Sequence, residues 1–209
     1  MLPEYAARAA RRSATGYTLK VTLREVRPPI WRRLRVAADF TLRDLHHVLQ
    51  VALGWTDSHL HEFRVSGKRY GMPDPAEDFG EPLLDEVDYR VGDLLKKGGR
   101  AEYAYDFGDG WEHAIVVEDT VALDARAPRA ECLAGARACP PEDCGGPHGY
   151  AELLEAIADP AHERHEELRE WVDPHFDPEK YDLDLVNRQL RGAGTPAWRR
   201  KRERFYPSR

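Results

Sequence analysis

The sequence lacks the features that would assign it to a membrane, to secretion or to the common nucleotide-binding enzymes. It contains no run of roughly 18 apolar residues, which a membrane-spanning helix needs. Its first residues are charged and rich in alanine without an apolar segment, so they do not predict a secretory signal. A phosphate-binding loop, a dinucleotide fingerprint and a Gly-x-Ser-x-Gly elbow are all missing. We therefore expect a cytoplasmic protein without a membrane partner.

Cysteine is scarce, and its arrangement indicates a reducing compartment rather than a disulfide framework. The sequence has three cysteines, an odd number, within one segment: Cys132, Cys139 and Cys144. Together with His148, they offer three thiolates and one imidazole, a ligand set that zinc accepts. The C-x6-C-x4-C spacing lacks a tight C-x2-C pair, however. Ordinary buried thiols in a packed loop are therefore the alternative that the spacing favours.

Charge of neither sign dominates, since the net charge is -6, but the charges are unevenly distributed. Residues 1–43 carry ten Lys or Arg against three acidic residues, whereas residues 142–185 carry fourteen acidic residues against three basic ones. Local stripes of charge set the local field, so a basic end is a candidate contact to DNA. The alternative is a solvated surface. The candidate residues at the C-terminal end are Arg199, Arg200, Lys201, Arg202 and Arg204.

Periodicity predicts one α+β domain, for which the 209 residues suffice. The segment YTLKVTLREV alternates apolar and polar residues as a strand does, and IWRRLRV follows as a returning strand. The segment TLRDLHHVLQVALG has apolar residues at helical spacing, with Thr41 and Asp44 as an N-terminal capping pair and Gly54 as the stop. His46 and His47 lie at the edge of its apolar stripe or away from it, so we expect both at the surface or its boundary.

The remaining elements predict a mixed or antiparallel sheet that is β-grasp-like in its first half, with C-terminal helices packed on one side. Long loops are expected over residues 71–88 and 125–149, which are rich in proline or glycine. The predicted organisation is a flexible leader over 1–16, the domain over 17–191 and a basic flexible tail over 192–209.

Two similar stretches point to a site. GWTDSHLHEFRV and YAYDFGDGWEHAIVV each place a Gly-Trp pair beside acidic residues and histidines, then continue as an alternating strand. A metal site from His59, His61 and His113, with Asp106 or Asp109 as ligand or base, would hold zinc or another divalent transition metal. The alternative is that these histidines are hydrogen-bonded residues at the edge of the core. The full set of pocket candidates is Trp55, His59, His61, Asp106, Asp109, Trp111 and His113.

The order of four motifs resembles one family. YTLKVTLREVRPPIWRRLRV, TLRDLHHVLQVALGWTDSHLHEF, YAYDFGDGWEH and ACPPEDCGGPHGY are together similar to the plasmid pRiA4b ORF-3-like family. Its members are often labelled as transposon passenger proteins of a TnpR type. The resemblance implies an α+β domain of mobile-element or plasmid origin, and it supplies no catalytic residue. Ser13 lies in the leader without evident fixed partners, and no tyrosine has a recognisable recombinase setting.

Three functions follow as hypotheses. The first is a non-catalytic accessory module of a mobile element, which binds a protein or nucleic-acid partner through the pocket face or the basic ends. The second is a metal-dependent hydrolase or nuclease that uses the histidine and aspartate pocket. The third is a sensor of a small ligand, with a pocket walled by tryptophan.

Overall fold

The computed structural model of the chain describes residues 15–73, 82–124 and 126–203. In these ranges eight strands form one sheet in the order β5-β4-β3-β6-β7-β1-β2-β8. Only the pair β4 and β5 is parallel, and the other pairs are antiparallel. The strands are β1 (Thr15–Leu23), β2 (Trp31–Ala37), β3 (His61–Val65), β4 (Lys68–Gly71), β5 (Leu83–Asp85), β6 (Arg100–Tyr105), β7 (Trp111–Ala122) and β8 (Ala130–Ala136).

Six helices complete the described chain and confirm the predicted α+β class. They are α1 (Leu42–Leu53), α2 (Val91–Leu94), α3 (Gly146–Ala158), α4 (His165–Trp171), α5 (Leu183–Leu190) and α6 (Pro196–Glu203). None of the helices within the described ranges is long and apolar enough to cross a membrane.

Buried and more exposed side chains alternate along the central strands because one face of the sheet is covered. On β7 the residues Trp111, His113, Ile115 and Val117 are buried while their neighbours are exposed or partly exposed. This confirms the alternating strand predicted for this segment. The register pairs His113 with Tyr103 of β6. An imidazole therefore lies inside the core, beside a tyrosine of the neighbouring strand.

Helix α1 is the element that brings polar side chains into the interior. Its start is fixed by the predicted capping box, in which Thr41 and Asp44 bond each other's backbone N–H groups. Gly54 ends it with a left-handed backbone, φ 85°, and donates its N–H to the carbonyl of Gln50. Eleven of its twelve residues are buried, so the helix has no solvated face.

Three segments differ from the sequence prediction. The described part of the expected loop over 71–88 contains strand β5. The expected loop over 125–149 contains strand β8, which pairs along β2 and places Cys132 in the sheet. Residues 196–203, expected within a flexible tail, form helix α6, whose Trp198 is buried beside His47. The predicted leader lies outside the described residues except for residues 15 and 16, which belong to β1. Part of the other predicted loop, residues 74–81, also lies outside them.

Candidate metal centre

Two adjacent histidines of α1 are buried, which corrects the expectation that they lie near the surface. His46 is 1% and His47 is 3% exposed. The prediction assumed that a helix packs with one face and leaves the other in water. Here His46 stacks inward on a strand residue, and Trp198 of α6 covers His47 edge-on, with ring centroids 5.8 Å apart. Both imidazoles are therefore held in an environment from which water is excluded.

These side chains form what we call the histidine cluster: His46, His47, Asp57, His61 and Glu86. The His46 and His61 rings stack with centroids 3.4 Å apart and planes inclined by 5°. His46 Nε2 lies 2.6 Å from Asp57 Oδ1, and the carboxylate accepts this hydrogen bond. His46, Asp57 and His61 each offer one potential ligand atom, and these three atoms lie within 4.8 Å of one another. The three residues are thus close enough to share a metal ion.

The tautomer of His46 is set by a hydrogen-bond chain around Tyr103. Because Nε2 carries the proton donated to Asp57, Nδ1 accepts from the Tyr103 hydroxyl at 2.8 Å. That hydroxyl accepts from Gln50 Nε2 at 3.0 Å, and Gln50 Oε1 accepts from the backbone N–H of Asp57 at 2.9 Å. The chain fixes the position of Asp57, whose backbone φ is 63°.

Only one of the two ring nitrogens of His61 has a hydrogen-bond partner in the described chain. Its Nε2 donates to Glu86 Oε2 at 2.7 Å, and Glu86 also pairs with Arg43 of α1. The other ring nitrogen, Nδ1, is buried and has no hydrogen-bond partner in the described chain. Asp57 Oδ2 is also buried without a hydrogen bond, although His47 Nε2 lies 3.7 Å away. The cluster therefore contains a ring nitrogen and a carboxylate oxygen that no group of the described chain uses.

Burial controls the protonation of the cluster. It lowers the pKa of His46 well below its usual value and lowers that of His47 to about 4. It raises the pKa of Asp57 to about 6, which still leaves this carboxyl ionised near neutral pH. Burial is the largest influence on Glu86 and would raise its pKa, but the interactions with His61, His46 and Arg43 together outweigh it and the pKa falls to about 2. Near neutral pH, His46 and His47 are uncharged, whereas Asp57 and Glu86 are ionised inside the cluster, with Arg43 beside Glu86 and Arg202 near Asp57.

The structure divides the predicted pocket residues among three places. His61 lies in the histidine cluster. Trp55, Trp111 and His113 lie in an aromatic part of the core, where the Trp55 ring centroid is 6.2 Å from Trp111 and 5.3 Å from His113. The last group, at the outer end of the sheet, is His59, Asp106 and Asp109.

That outer group is partly exposed. His59 Nε2 lies 3.6 Å from Asp106 Oδ2 and 3.3 Å from Asp143 Oδ1. Asp109 accepts a bond from the backbone N–H of Gly145. Among the described residues, the potential ligand groups do not bring His59, His61 and His113 together.

The structure also keeps the predicted thiolate ligands apart. Cys132 contacts the Tyr181 hydroxyl at 3.0 Å, and Cys139 accepts from Arg32 at 3.4 Å. Burial raises the pKa of the Cys144 thiol to about 12, with help from nearby Asp109, so it stays protonated. His148 is exposed on α3. No metal-ligating group in the described chain includes these residues.

The basic residues near the C-terminus are partly engaged within the protein. Arg199 donates two bonds to Asp44 at 2.7 and 2.5 Å. Arg202 is partly buried, which lowers its pKa, whereas Arg200 and Lys201 are exposed. Arg204 lies outside the described residues.

Sequence reasoning missed His46, Asp57 and Glu86. His46 had a weak signal, since it lies four residues after Leu42 and three before Leu49, at the edge of the apolar stripe. Asp57 and Glu86 had none, because they join the cluster through contacts with residues far away in the chain.

Known proteins share this chain's sequence and fold. Residues 15–185 match the family described as plasmid pRiA4b ORF-3-like protein. The uncharacterised protein y4hQ of Sinorhizobium fredii is 42% identical over 195 residues, which cover 91% of this chain and 98% of that protein. The crystal structure of MM3350, a protein of unknown function from Methanosarcina mazei, is 35% identical with a TM-score of 0.75. The match covers 82% of this chain and 97% of that one.

Proposed function

The chain belongs to the plasmid pRiA4b ORF-3-like family, as its motifs predicted, and we propose that it binds a divalent transition-metal ion in the histidine cluster. The ligands are His61 through Nδ1 and Asp57 through Oδ2, with His47 as a further candidate. His46 becomes a ligand only if metal binding displaces the Nε2 proton that it donates to Asp57. This proposal moves the metal site of the second sequence hypothesis from the surface end of the sheet to the buried side of α1.

One observation carries the proposal: His61 Nδ1 and Asp57 Oδ2 are both buried and both lack a hydrogen-bond partner in the described chain. A buried polar group without a partner costs roughly 1 to 3 kcal/mol, and such groups are rare in native proteins. A cation between these atoms would satisfy both at once. It would also balance the carboxylate charge of the cluster.

The arrangement around His61 supports the same conclusion. Histidines that bind metals nearly always donate their second N–H to a carboxylate or carbonyl, which fixes the ring and raises the basicity of the ligating nitrogen. Glu86 accepts that bond from His61 Nε2 at 2.7 Å. This leaves Nδ1 as the ligating atom.

The donor set favours zinc or a similar transition metal over calcium or magnesium. Two or three imidazole nitrogens with one carboxylate suit zinc, copper, nickel or iron, whereas magnesium and calcium prefer oxygen ligands only. The ligands are at most 5% exposed, so the bound ion would be enclosed. A hydrolytic role would additionally require α6 or a neighbouring segment to move and admit a substrate.

The test is metal analysis of the purified protein, followed by calorimetric titration of the metal-free protein with zinc. We expect about one ion per chain in the wild type and loss of binding in His61→Ala and in Asp57→Asn. His175→Ala is the matched control, because that histidine is exposed. Circular dichroism identifies variants that are unfolded.

Two results would overturn the proposal. The first is a folded wild-type protein that neither retains a metal nor binds zinc. The second is undiminished binding in both folded variants, which would place the metal elsewhere.

Binding of a protein or nucleic-acid partner remains a separate hypothesis, with Arg200 and Lys201 of α6 as its exposed basic residues. Phosphate contacts make such binding fall steeply with salt. A gel shift at low salt tests it, and the absence of a shift removes the nucleic-acid part.

A further inference from the structure

A second site lies where the end of α1, strand β2 and helix α5 meet. This pocket has a volume of about 360 Å³, within the range of small-molecule sites. Its lining is mainly apolar and includes Trp55, Phe176, Tyr181 and Leu185. Arg32 and Cys139 contribute to its inner wall.

Arg32 is an unusual residue for such a wall because it is charged and only 1% exposed. Its guanidinium donates to the backbone carbonyls of Trp31, Ala52 and Ala136 and to Cys139 Sγ. A guanidinium has five N–H donors, so these four bonds leave one unused. Among the described residues, the ion pairs include none for Arg32.

The neighbours of Arg32 do not supply the missing negative charge. Burial raises the pKa of the Cys139 thiol, so the sulfur accepts its bond as a neutral group. Tyr181 lies over the guanidinium at 3.8 Å and contributes only the attraction of its ring face. A buried charge without a counter-charge is costly, and an anion at this wall would remove that cost.

The packing of Tyr181 on Arg32 depends on a glycine opposite. A Cβ atom on Gly135 would lie 2.5 Å from a Tyr181 ring carbon and 2.9 Å from Arg32 Cδ. Real side chains do not approach so closely, so Gly135 is what allows the tyrosine to cover the arginine. The aromatic wall is therefore built into the sheet.

The charged side chains around the pocket favour an anion of low charge. Three carboxylates also line it, against Arg32 and the exposed Lys180. Their oxygens accept bonds from the protein: Glu142 from the Tyr105 hydroxyl, Asp173 from the His175 backbone N–H and Asp182 from that of Leu185. These groups repel an anion in proportion to its charge, so they disfavour a phosphate or another multiply charged anion more strongly than a single carboxylate paired with Arg32.

We propose that this pocket binds a small monocarboxylic acid with an apolar body. The carboxylate pairs with Arg32, and the body packs between Trp55 and Tyr181. This function goes beyond metal binding, because none of the pocket's lining residues belongs to the histidine cluster. It also gives the predicted small-ligand sensor a ligand class.

The probe is 3-phenylpropionate, compared with 3-phenylpropionamide and inorganic phosphate. Binding is followed by tryptophan fluorescence, with Trp55→Phe to show that Trp55 gives the signal. We expect saturable binding of the acid and at least roughly ten-fold weaker binding of the amide, because hydrogen bonds to charged groups are worth more than neutral ones. Phosphate should not compete.

A variant at the rim tests the site without disturbing Arg32. Leu185 is 43% exposed and lines the pocket, so the fold tolerates a polar side chain there. Leu185→Glu should weaken binding of the acid by about ten-fold relative to Leu185→Gln, because it adds a like charge. Four results would each overturn the proposal. They are equal binding of the acid and the amide, competition by phosphate, equal affinity of the two rim variants for the acid, and no binding of any probe.

Discussion

Replacing His113 with phenylalanine should make the protein's stability less sensitive to acid. His113 is 0% exposed, its Nδ1–H donates to the carbonyl of Tyr103 at 3.1 Å, and its Nε2 has no partner in the described chain. Burial is the main reason that its pKa falls from 6.5 to about 4. His113→Phe keeps an aromatic ring of similar size and removes the titrating group.

The direction of this pH dependence follows from the number of protons that the folded and the unfolded protein bind. Between about pH 6.5 and about pH 4, the imidazole of the unfolded chain binds a proton that the folded protein does not bind, so stability falls as the pH falls. One pKa unit corresponds to about 1.4 kcal/mol, so the complete loss is about 3 kcal/mol. Between about pH 7.5 and about pH 5 the expected loss from this residue is about 2 kcal/mol.

Urea unfolding of the metal-free protein at these two pH values gives the comparison. The free energy of unfolding should fall by about 2 kcal/mol less in His113→Phe than in the wild type. Each protein is compared with itself at the two pH values, so the cost of losing the bond to Tyr103 does not enter the comparison. The titration of the histidine cluster contributes equally to both proteins and also cancels. His148→Phe is the control, since His148 is exposed and the substitution leaves its surroundings in water. A variant that loses as much stability as the wild type would refute the reasoning.

Two further predictions concern stability near neutral pH, each measured by urea unfolding. Gly146→Ala should destabilise the protein by roughly 2 kcal/mol or more, because Gly146 has φ 70° and a Cβ there would lie 2.3 Å from the carbonyl oxygen of Asp109. Arg199→Ala should cost roughly 1 to 3 kcal/mol, because it leaves the buried carboxylate of Asp44 without its two-bond partner. The same change at the exposed Arg200 should cost less than about 0.5 kcal/mol.

Local sequence signals were sufficient where the structure depends on near neighbours. The ends of α1 follow from Thr41, Asp44 and Gly54, whose capping contacts span only three or four residues. The inward direction of His113 follows from the alternation along β7. Such features can be predicted because the residues concerned lie on one element, where the period of helix or strand determines the geometry.

The candidate site required information that no single segment carries. Glu86 lies 25 residues after His61 and reaches it from the loop that follows β5. His47 was expected near water, and only the packing of Trp198, from the other end of the chain, shows that it is buried. A histidine on a helix has the same local sequence whether a distant segment covers it or not. The local pattern therefore predicted a site of histidines and carboxylates but did not predict which of these side chains meet.

The two proposed sites are separate but touch a common series of aromatic rings. Tyr103 bonds His46 of the cluster and packs on His113, with ring centroids 5.4 Å apart, while His113 packs on Trp55 of the pocket. Zinc binding at the cluster could therefore alter Trp55 fluorescence without any ligand in the pocket. Spatial contact alone does not establish coupling between sites, which requires a change in affinity. The affinity for 3-phenylpropionate, measured with and without zinc, separates the cases: equal values indicate independent sites, and unequal values indicate that the two sites are coupled.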